Sequence, residues 1–448
     1  MMKKQQDSRQ TTHTCKAQQS VWQEYEMPHF PQLQGDVKTD VLIIGGGLCG
    51  ILCAKFLTDA GVDCVVVEAD RIGSGTTKNT TAKITSQHGL FYKKLTKTMG
   101  QEYAKQYLSA NQRAVSHYRT LCKNLNCDFE TKSAFVYSTE NQKDILDEVE
   151  AVQALGFCAN FHETLQLPFS VKGAIEFPNQ AQLHPLKFLA GISGNLQIYE
   201  HTFIREISPH KAWTDTGTVS AKSIIVTTHF PFLNKHGSYF LKLYQKRSYV
   251  LALRHAQNVE GMYKDAAENG LSFRNYHDLL LLGGGGHRTG KQGGNWAELK
   301  AFADKYYPNA EICYRWAAQD CMSLDNVPYL GQYGAKTPDL YVATGFCKWG
   351  MTSAMVAARV LSDMVQGREN EFRRLFSPRR SMLKPQLFMN GAETMKNLLA
   401  PTAKRCPHLG CALKWNPVEH TWDCSCHGSR FTKDGELIDN PATGRAKV

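Results

Sequence analysis

The stretch TDVLIIGGGLCGILCAKFLTDAGVDCVVVEAD, residues 39–70, leaves a chain few ways to fold. Residues 41–44 are a wholly apolar run of strand length, 48–58 place apolar residues at helical spacing, and 63–67 form a second apolar run. The stretch therefore reads as strand, glycine turn, helix, strand. In the turn stands Gly45-x-Gly47-x-x-Gly50. The first glycine permits a tight turn, the second lets backbone approach a pyrophosphate, and the third lets the helix pack closely on the strand. Phosphate charge would rest on the N–H groups and the positive end of the helix. Glu68 closes the second strand, where a carboxylate can take ribose hydroxyls. These residues predict a Rossmann-like α/β dinucleotide-binding domain.

The next segment bears on which dinucleotide. ADRIGSGTTKNTTAKITSQHG (69–89), with Thr76 and Thr77, resembles the second flavin-contacting loop of the D-amino-acid oxidase (DAO)/glycine oxidase superfamily. The resemblance continues in order. AQLHPLKFLAG (181–191) resembles the helix that returns to the flavin domain, and LQIYEHTFIREI (196–207) the strand whose backbone near Ile204 meets adenine. SIIVTTH (223–229) is similar to the strand that ends at the cofactor. CMSLDNVPYLGQY…LYVATGFCKWGMTSAMVAARVLSDMV (321–365) is similar to the closing strand, glycine loop and helix. The resemblance implies FAD, with Gly345, Gly350, Met351 and Thr352 at the flavin end. A helix N-terminus at 350–352 would stabilise negative charge on the reduced ring, and Lys348 could add a point charge there. It also implies a mixed-sheet α+β substrate domain inserted in the chain. Cys321 fits poorly as a covalent tether, so non-covalent FAD is expected.

GGHRTGK (285–291) has the spacing of a phosphate loop, but Gln292 stands where Ser or Thr is needed and Gly293-Gly294 oppose the required helix. The preceding LLLLGGGG instead suggests a strand running into a loop. In the superfamily that strand borders the substrate cavity, which makes His287 and Arg288 candidates for substrate contact beside Lys348.

The other end carries a second signal, RCPHLGCALKWNPVEHTWDCSCHGSRF (405–431). Cys406, His408, Cys424 and His427 supply two thiolates and two imidazoles. A Cys2His2 zinc site could use the same donors. Zinc fingers, however, usually pair cysteine with cysteine and histidine with histidine, whereas here each box gives one of each. A Rieske 2Fe–2S cluster needs that mixture, two Cys on one iron and two His on the other. The C-x-H-x-x-C and C-x-C-H-G-S boxes resemble those of Rieske proteins. That likeness implies a disulfide between Cys411 and Cys426, and a Ser429 hydroxyl on cluster sulfur. Phe431 departs from the tyrosine of high-potential members, and the module is much shorter than a full Rieske domain. Its open side is expected to lean on the flavin domain or on the preceding linker.

A length of 448 residues suggests two or three domains, and 42% hydrophobic with 21% charged residues is ordinary for a globular protein. The net charge of +11 is diffuse apart from a stretch from Arg368 to Lys384, with no nucleic-acid reader motif, so no nucleic-acid partner is expected. No apolar run approaches the ~18–20 residues of a membrane span, and no secretory signal is visible. A cytoplasmic location follows, with the scattered cysteines as reduced thiols. The expected layout is a polar arm (1–38), an oxidoreductase part (39–370), a linker (371–400) and a minimal all-β Rieske module (401–448). FAD binding is assigned to about 39–99, 184–229 and 321–370, and the substrate domain to about 100–183 and 230–320. The expected function is oxidation of a small amine or amino-acid-like substrate, with electrons passing from flavin through the cluster to an unknown acceptor. A reductase with the reverse flow, or an oxygen-using oxidase with a structural metal site, stands as the alternative.

Overall fold

The computed structural model describes residues 18–448 apart from Lys235. Residues 1–17 of the expected arm lie outside the described residues. The first sheet runs Tyr329–Gln332, Leu340–Thr344, Thr218–Val226, Val37–Ile44, Cys64–Val67, Gln197–Tyr199. From Leu340–Thr344 to Gln197–Tyr199 every pairing is parallel. Its central strands are apolar where they are buried on both faces, at 41–44, 64–67 and 224–226. Helix Leu48–Asp59 follows the glycine turn, and closing helix Gly350–Val365 lies beside it. The turn thus sits over the carboxyl ends of neighbouring strands, where Thr227 Oγ1 donates to the carbonyls of Ile44 and Gly45, each at 3.0 Å.

The second sheet has nine strands. It begins at Glu311–Met322, passes through Tyr244–Arg254 and Leu279–Arg288, and ends at Gly173–Gln182 and Lys83–Ile84. One pairing, Met262–Asp265 with Glu130–Ser138, is parallel, so the sheet is mixed. The strand Leu279–Arg288 does not give way to a loop at its glycines. Gly283 and Gly284 pair with Tyr249 and Val250, which satisfies their backbone groups. Their missing side chains leave room for Ser272 and Leu271.

Two connecting segments are more than the sequence suggested. In the expected polar arm, Trp22 is wholly buried, donates to the Thr80 carbonyl at 2.7 Å, and packs edge-on to Tyr276. In the expected linker, Phe372, Leu375 and Phe376 are buried and Arg380 pairs with Asp325 at 2.8 Å. The linker then forms a helix, Pro385–Leu398. Among the described residues no helix is long and apolar enough to cross a membrane.

The C-terminal module is a four-stranded antiparallel meander, Leu413–Asn416, Thr421–Cys424, Arg430–Phe431, Leu437–Asp439. It leans chiefly on the second sheet. Gln245 donates to the carbonyls of His427 (2.9 Å) and Asn440 (3.0 Å), and Gln319 to that of Gly428 (2.8 Å). Contact is close enough to require glycine at two positions. A Cβ on Gly428 would lie 2.6 Å from Gln245, and one on Gly290 2.7 Å from the Ser425 nitrogen; both have positive φ.

Glu419 ties the module down. It accepts from Arg247 Nε (3.1 Å) and Tyr249 (3.0 Å) of the second sheet, and from Arg430 (2.8 Å) of its own module. Arg430 also bonds Asp423 (3.2 Å) and Asp439 (2.9 Å). Burial alone would raise the Glu419 pKa, but the Arg247 and Arg430 charges and the hydrogen bonds outweigh it and hold the carboxyl at about 2. A depressed carboxylate contributes stability that is full above its unfolded value, ~4.3, and is lost as pH falls through the folded value. Acid unfolding of the wild type should therefore steepen between about pH 4.3 and about 2. Glu419→Gln should flatten that window and destabilise at neutral pH by ~3–5 kcal/mol, because buried Arg247 loses its paired carboxylate and Arg430 loses one of three. Denaturant melts across pH would check both.

Candidate active site and cluster centre

A cavity of about 720 Å³ opens between the two sheets, and the C-terminal module closes one side of it. At one end lies the glycine turn. A Cβ at Gly50 would come within 1.9 Å of the Gly45 carbonyl oxygen, so only glycine lets the helix start there. A Cβ at Gly47 would meet only Thr77 Oγ1, at 3.5 Å, and would otherwise stand in the approach to the turn. Glu68 accepts from the Gly46 amide at 2.6 Å and from Asp70 at 3.0 Å. Burial raises its pKa against those hydrogen bonds. Thr77 accepts from the Leu48 amide at 3.0 Å and thereby fixes the first turn of the helix. Gly45, Gly47, Glu68, Thr76, Thr77, Ile204, Gly345, Gly350 and Met351 all line the cavity.

Lys348 lines it too. It follows Cys347 in two successive left-handed residues (φ +53° and +73°), a costly conformation for non-glycine residues that turns the chain into the closing helix. Burial lowers the Lys348 pKa, opposed by the Asp320 charge. Burial raises the Asp320 pKa, opposed first by Lys348 and then by His229 and Arg247.

Three expected contacts fall elsewhere. Thr352 is turned into the core, where its hydroxyl donates to the Thr85 carbonyl at 3.2 Å and meets His88 at 3.1 Å. His287 faces away from the cavity, bonded to Tyr249 at 3.0 Å and stacked on its ring. Arg288 is a bolt under the C-terminal module, donating to the carbonyls of Ser425 (3.0 Å) and Cys426 (3.2 Å) and to Asn390 (3.1 Å). The docked module engages both residues, Arg288 directly and His287 through Tyr249, which donates to Glu419. Conversely, sequence reasoning missed Asp320, His229, Trp349 and the module's own Arg430 and Asp439, which all line the cavity. His229 offered a faint signal, as the polar residue ending the strand assigned to the cofactor.

On the far side of the strand end Thr227–Phe230, the two cysteine–histidine boxes face each other. The rings of His408 and His427 lie 4.8 Å apart at 87°. The Nδ1 atoms of both are buried without any hydrogen-bond partner, while His408 Nε2 bonds Asn234 at 2.8 Å. Two buried orphan nitrogens on neighbouring rings are costly unless they bind something. Cys424 is driven towards the thiolate by hydrogen bonds from Cys406, then Cys411 and Cys426. Ser429 accepts from the Ala442 amide at 2.9 Å and hydrogen-bonds the Cys406 sulfur. The tightest sulfur group among the described residues is Cys411, Cys424 and Cys426, within 4.8 Å of one another, rather than the expected quartet. Cys411 and Cys426 are free thiols in the structure, without the expected bridge. The orphan histidine nitrogens favour the mixed quartet, because three thiols alone would leave both unsatisfied.

A family model described as FAD dependent oxidoreductase matches residues 40–364, and one described as Rieske [2Fe-2S] domain matches 381–448. The chain belongs to the FAD dependent oxidoreductases and carries a C-terminal Rieske domain. It is 32% identical to YhfW of Bacillus subtilis (strain 168), whose name describes a Rieske 2Fe-2S iron-sulfur protein, over 93% of this chain and 94% of that one. It is 24% identical to gamma-glutamylputrescine oxidoreductase of Escherichia coli (strain K12), covering 77% of this chain and 87% of the relative. Glycine oxidase from Geobacillus kaustophilus shares the fold, with a TM-score of 0.66 at 18% identity over 77% of this chain and all of that one. The protein is thus an FAD-dependent oxidoreductase with two redox cofactors, FAD and a Rieske 2Fe-2S cluster. The open Gly45–Gly47 turn suits a pyrophosphate, and the paired orphan imidazoles with a thiolate beside them suit a Rieske iron pair. The Rieske match begins at 381, so it takes in the helix Pro385–Leu398 that the sequence reading left to the linker.

Gly47→Val should yield folded protein with iron but no FAD, because its side chain would stand where the pyrophosphate approaches. His408→Ala should give the converse, FAD with no cluster. Absorbance spectra and metal analysis of both variants check the two assignments together.

Proposed function

We propose that the protein oxidises a small amine or amino-acid-like substrate and exports the electrons singly through the Rieske cluster, held by Cys406, His408, Cys424 and His427, to an external acceptor. The amine class is supported by the likeness to gamma-glutamylputrescine oxidoreductase and glycine oxidase. Direct electron transfer between the cavity and the cluster is supported by one observation. His229 lines the cavity, while the next residue, Phe230, lies edge-on to both His408 (6.4 Å) and His427 (6.3 Å). One peptide unit therefore separates the substrate cavity from the cluster ligands. When bound, FAD takes the substrate's electrons as a pair and the cluster accepts them one at a time.

The chain's own residues prepare the substrate. Asp320, whose burial raises its proton affinity, is placed to take the proton of a substrate ammonium and free the nitrogen lone pair. Lys348 has no hydrogen bond among the described residues and lines the wall near Asp320, whose charge favours its protonated form against burial. It stabilises negative charge at the reacting end. Arg430 and Asp439 line the cavity from the Rieske module, so the module helps to shape the substrate site.

Anaerobic screening with amines and amino acids tests the reading. A substrate should bleach the flavin and raise a Rieske-type EPR signal in the wild type, but bleach flavin alone in His427→Ala. A cluster that stays oxidised beside fully reduced flavin would overturn the direction. Asp320→Asn should lower kcat/KM by ~10²–10⁴-fold and remove the limb of the pH profile on which activity rises with pH.

We also propose that Cys411 and Cys426 are bridged in the mature holoprotein. Their sulfurs already lie within 4.8 Å, and a bridge across the short module contributes ~2–4 kcal/mol. Mass spectrometry of the alkylated, non-reduced protein should find neither thiol modified.

A further inference from the structure

The helix Pro385–Leu398 is built inside out. Its inner face is polar. Asn390 meets Arg288 at 3.1 Å, Glu393 pairs with Lys291 at 2.8 Å, and buried Asn397 donates to the Glu393 carboxylate at 3.0 Å. Its outer face is apolar. Phe388 is 70% exposed, Met389 and Met395 61%, and Leu399, one residue past the end, 78%. Phe388, Ala392, Met395 and Leu399 follow at helical spacing along the middle of that face. Leu383 before the helix is 78% exposed, and Leu409, on the loop of His408, 40%. Half of the twelve exposed large apolar side chains among the described residues fall between Leu383 and Leu399. Apolar surface gathered in this way marks an interaction site.

Charge selects the occupant. From Met382 to Gly410 there is one acid, Glu393, against four cations: Lys384, Lys396, Lys404 and Arg405. That one acid is already paired inward. Lys396 stands exposed at the edge of the apolar stripe, beside Met389 and Ala392 by helical spacing. An apolar stripe edged by lysines whose long stems can reach outward is the signature of a helix lying in a lipid headgroup layer. Two copies meeting through this face would set lysines against lysines with no carboxylate to receive them, in a chain of net charge +11.

We propose that Pro385–Leu398 is an interfacial anchor that seats the protein on an anionic lipid surface. The helix would lie in the plane of the surface, its apolar stripe in the acyl boundary and Lys384 and Lys396 among anionic headgroups. The loop of His408 hangs from the same end of the helix. Arg405 donates to the carbonyls of Leu398 (2.9 Å) and Ala400 (2.7 Å), and the Ala412 amide to that of Asn397 (3.0 Å). Seating the helix therefore brings the exposed edge of the cluster loop to the surface. The inference goes beyond the proposed function and does not depend on the substrate or the direction of flow.

Flotation of the purified holoprotein tests it, with vesicles of phosphatidylcholine alone and of phosphatidylcholine with an equal part of phosphatidylglycerol. The protein should float with the anionic vesicles and much less with the neutral ones. The double variant Phe388→Ser/Met395→Ser should lose at least ~tenfold in partitioning while keeping its flavin and iron content. Lys384→Glu/Lys396→Glu should lose the preference for anionic lipid. No flotation with either vesicle, or equal flotation of the wild type and the serine variant, would overturn the proposal. So would a wild-type dimer in sedimentation velocity that the serine variant turns to monomer without either form floating, because a second copy would then be the occupant.

Discussion

Glu419 sits between two buried arginines from different halves of the molecule, and most of the site depends on that arrangement. Arg247 belongs to the second sheet and Arg430 to the Rieske module, and neither guanidinium has bulk water to fall back on. Ions removed from water repay their desolvation only when geometry is good and the remaining donors are satisfied. The cluster meets that condition by drawing in Tyr249, Asp423 and Asp439. Such a set tolerates little displacement, so it fixes register as well as contributing energy. A module of four short strands with a small core of its own thereby acquires a defined seat.

The seat has a chemical consequence. Arg430 and Asp439 are members of the ionic cluster and also line the cavity, so one interaction positions the Rieske module and completes the substrate chamber. The strand end Thr227–Phe230 works from the other side. Thr227 secures the glycine turn, His229 faces the cavity, and Asn440 donates to the carbonyls of Thr228 (2.6 Å) and Phe230 (2.8 Å). Dinucleotide turn, cavity and cluster loops are thus registered against four consecutive residues. Electron transfer between a two-electron flavin site and a one-electron cluster needs the two to be close and fixed, and this geometry keeps them so.

What could be read from the sequence was what local backbone chemistry dictates. The glycine turn was legible because pyrophosphate approach demands small residues at fixed spacing, and the metal boxes because ligand donors must alternate within a few residues. His287 and Arg288 were misplaced for a different reason. Their strand was correctly tied to the cavity, which its Gly283, Gly284 and Gly286 line, but the module, whose docking no local pattern records, takes Arg288 directly and His287 through Tyr249. Asp320 carried no motif at all; the role proposed for it rests on its burial near Lys348, which is a tertiary fact. Trp22 was hidden in a segment rich in polar residues, where Val21, Met27 and Leu33 are buried as well.

The helix Pro385–Leu398 shows why an apolar face can be obliged to stay outside. Rotating it to bury Phe388 and Met395 would recover hydrophobic free energy, roughly 1.5–3 kcal/mol for each side chain fully covered. The same rotation would take Asn390 from Arg288 and break the contacts of Glu393 with Lys291 and of buried Asn397 with Glu393, and buried polar groups left unpaired, at about 1–3 kcal/mol each, offset what such burial returns. Arg288 also holds the carbonyls of Ser425 and Cys426, so disturbing it would loosen the loop of Cys424 and His427. The polar face is therefore committed to the cluster, and the outward apolar stripe is its structural consequence. A chain that keeps large apolar residues there, where serine or lysine would satisfy the helix equally well, has a use for the surface they make.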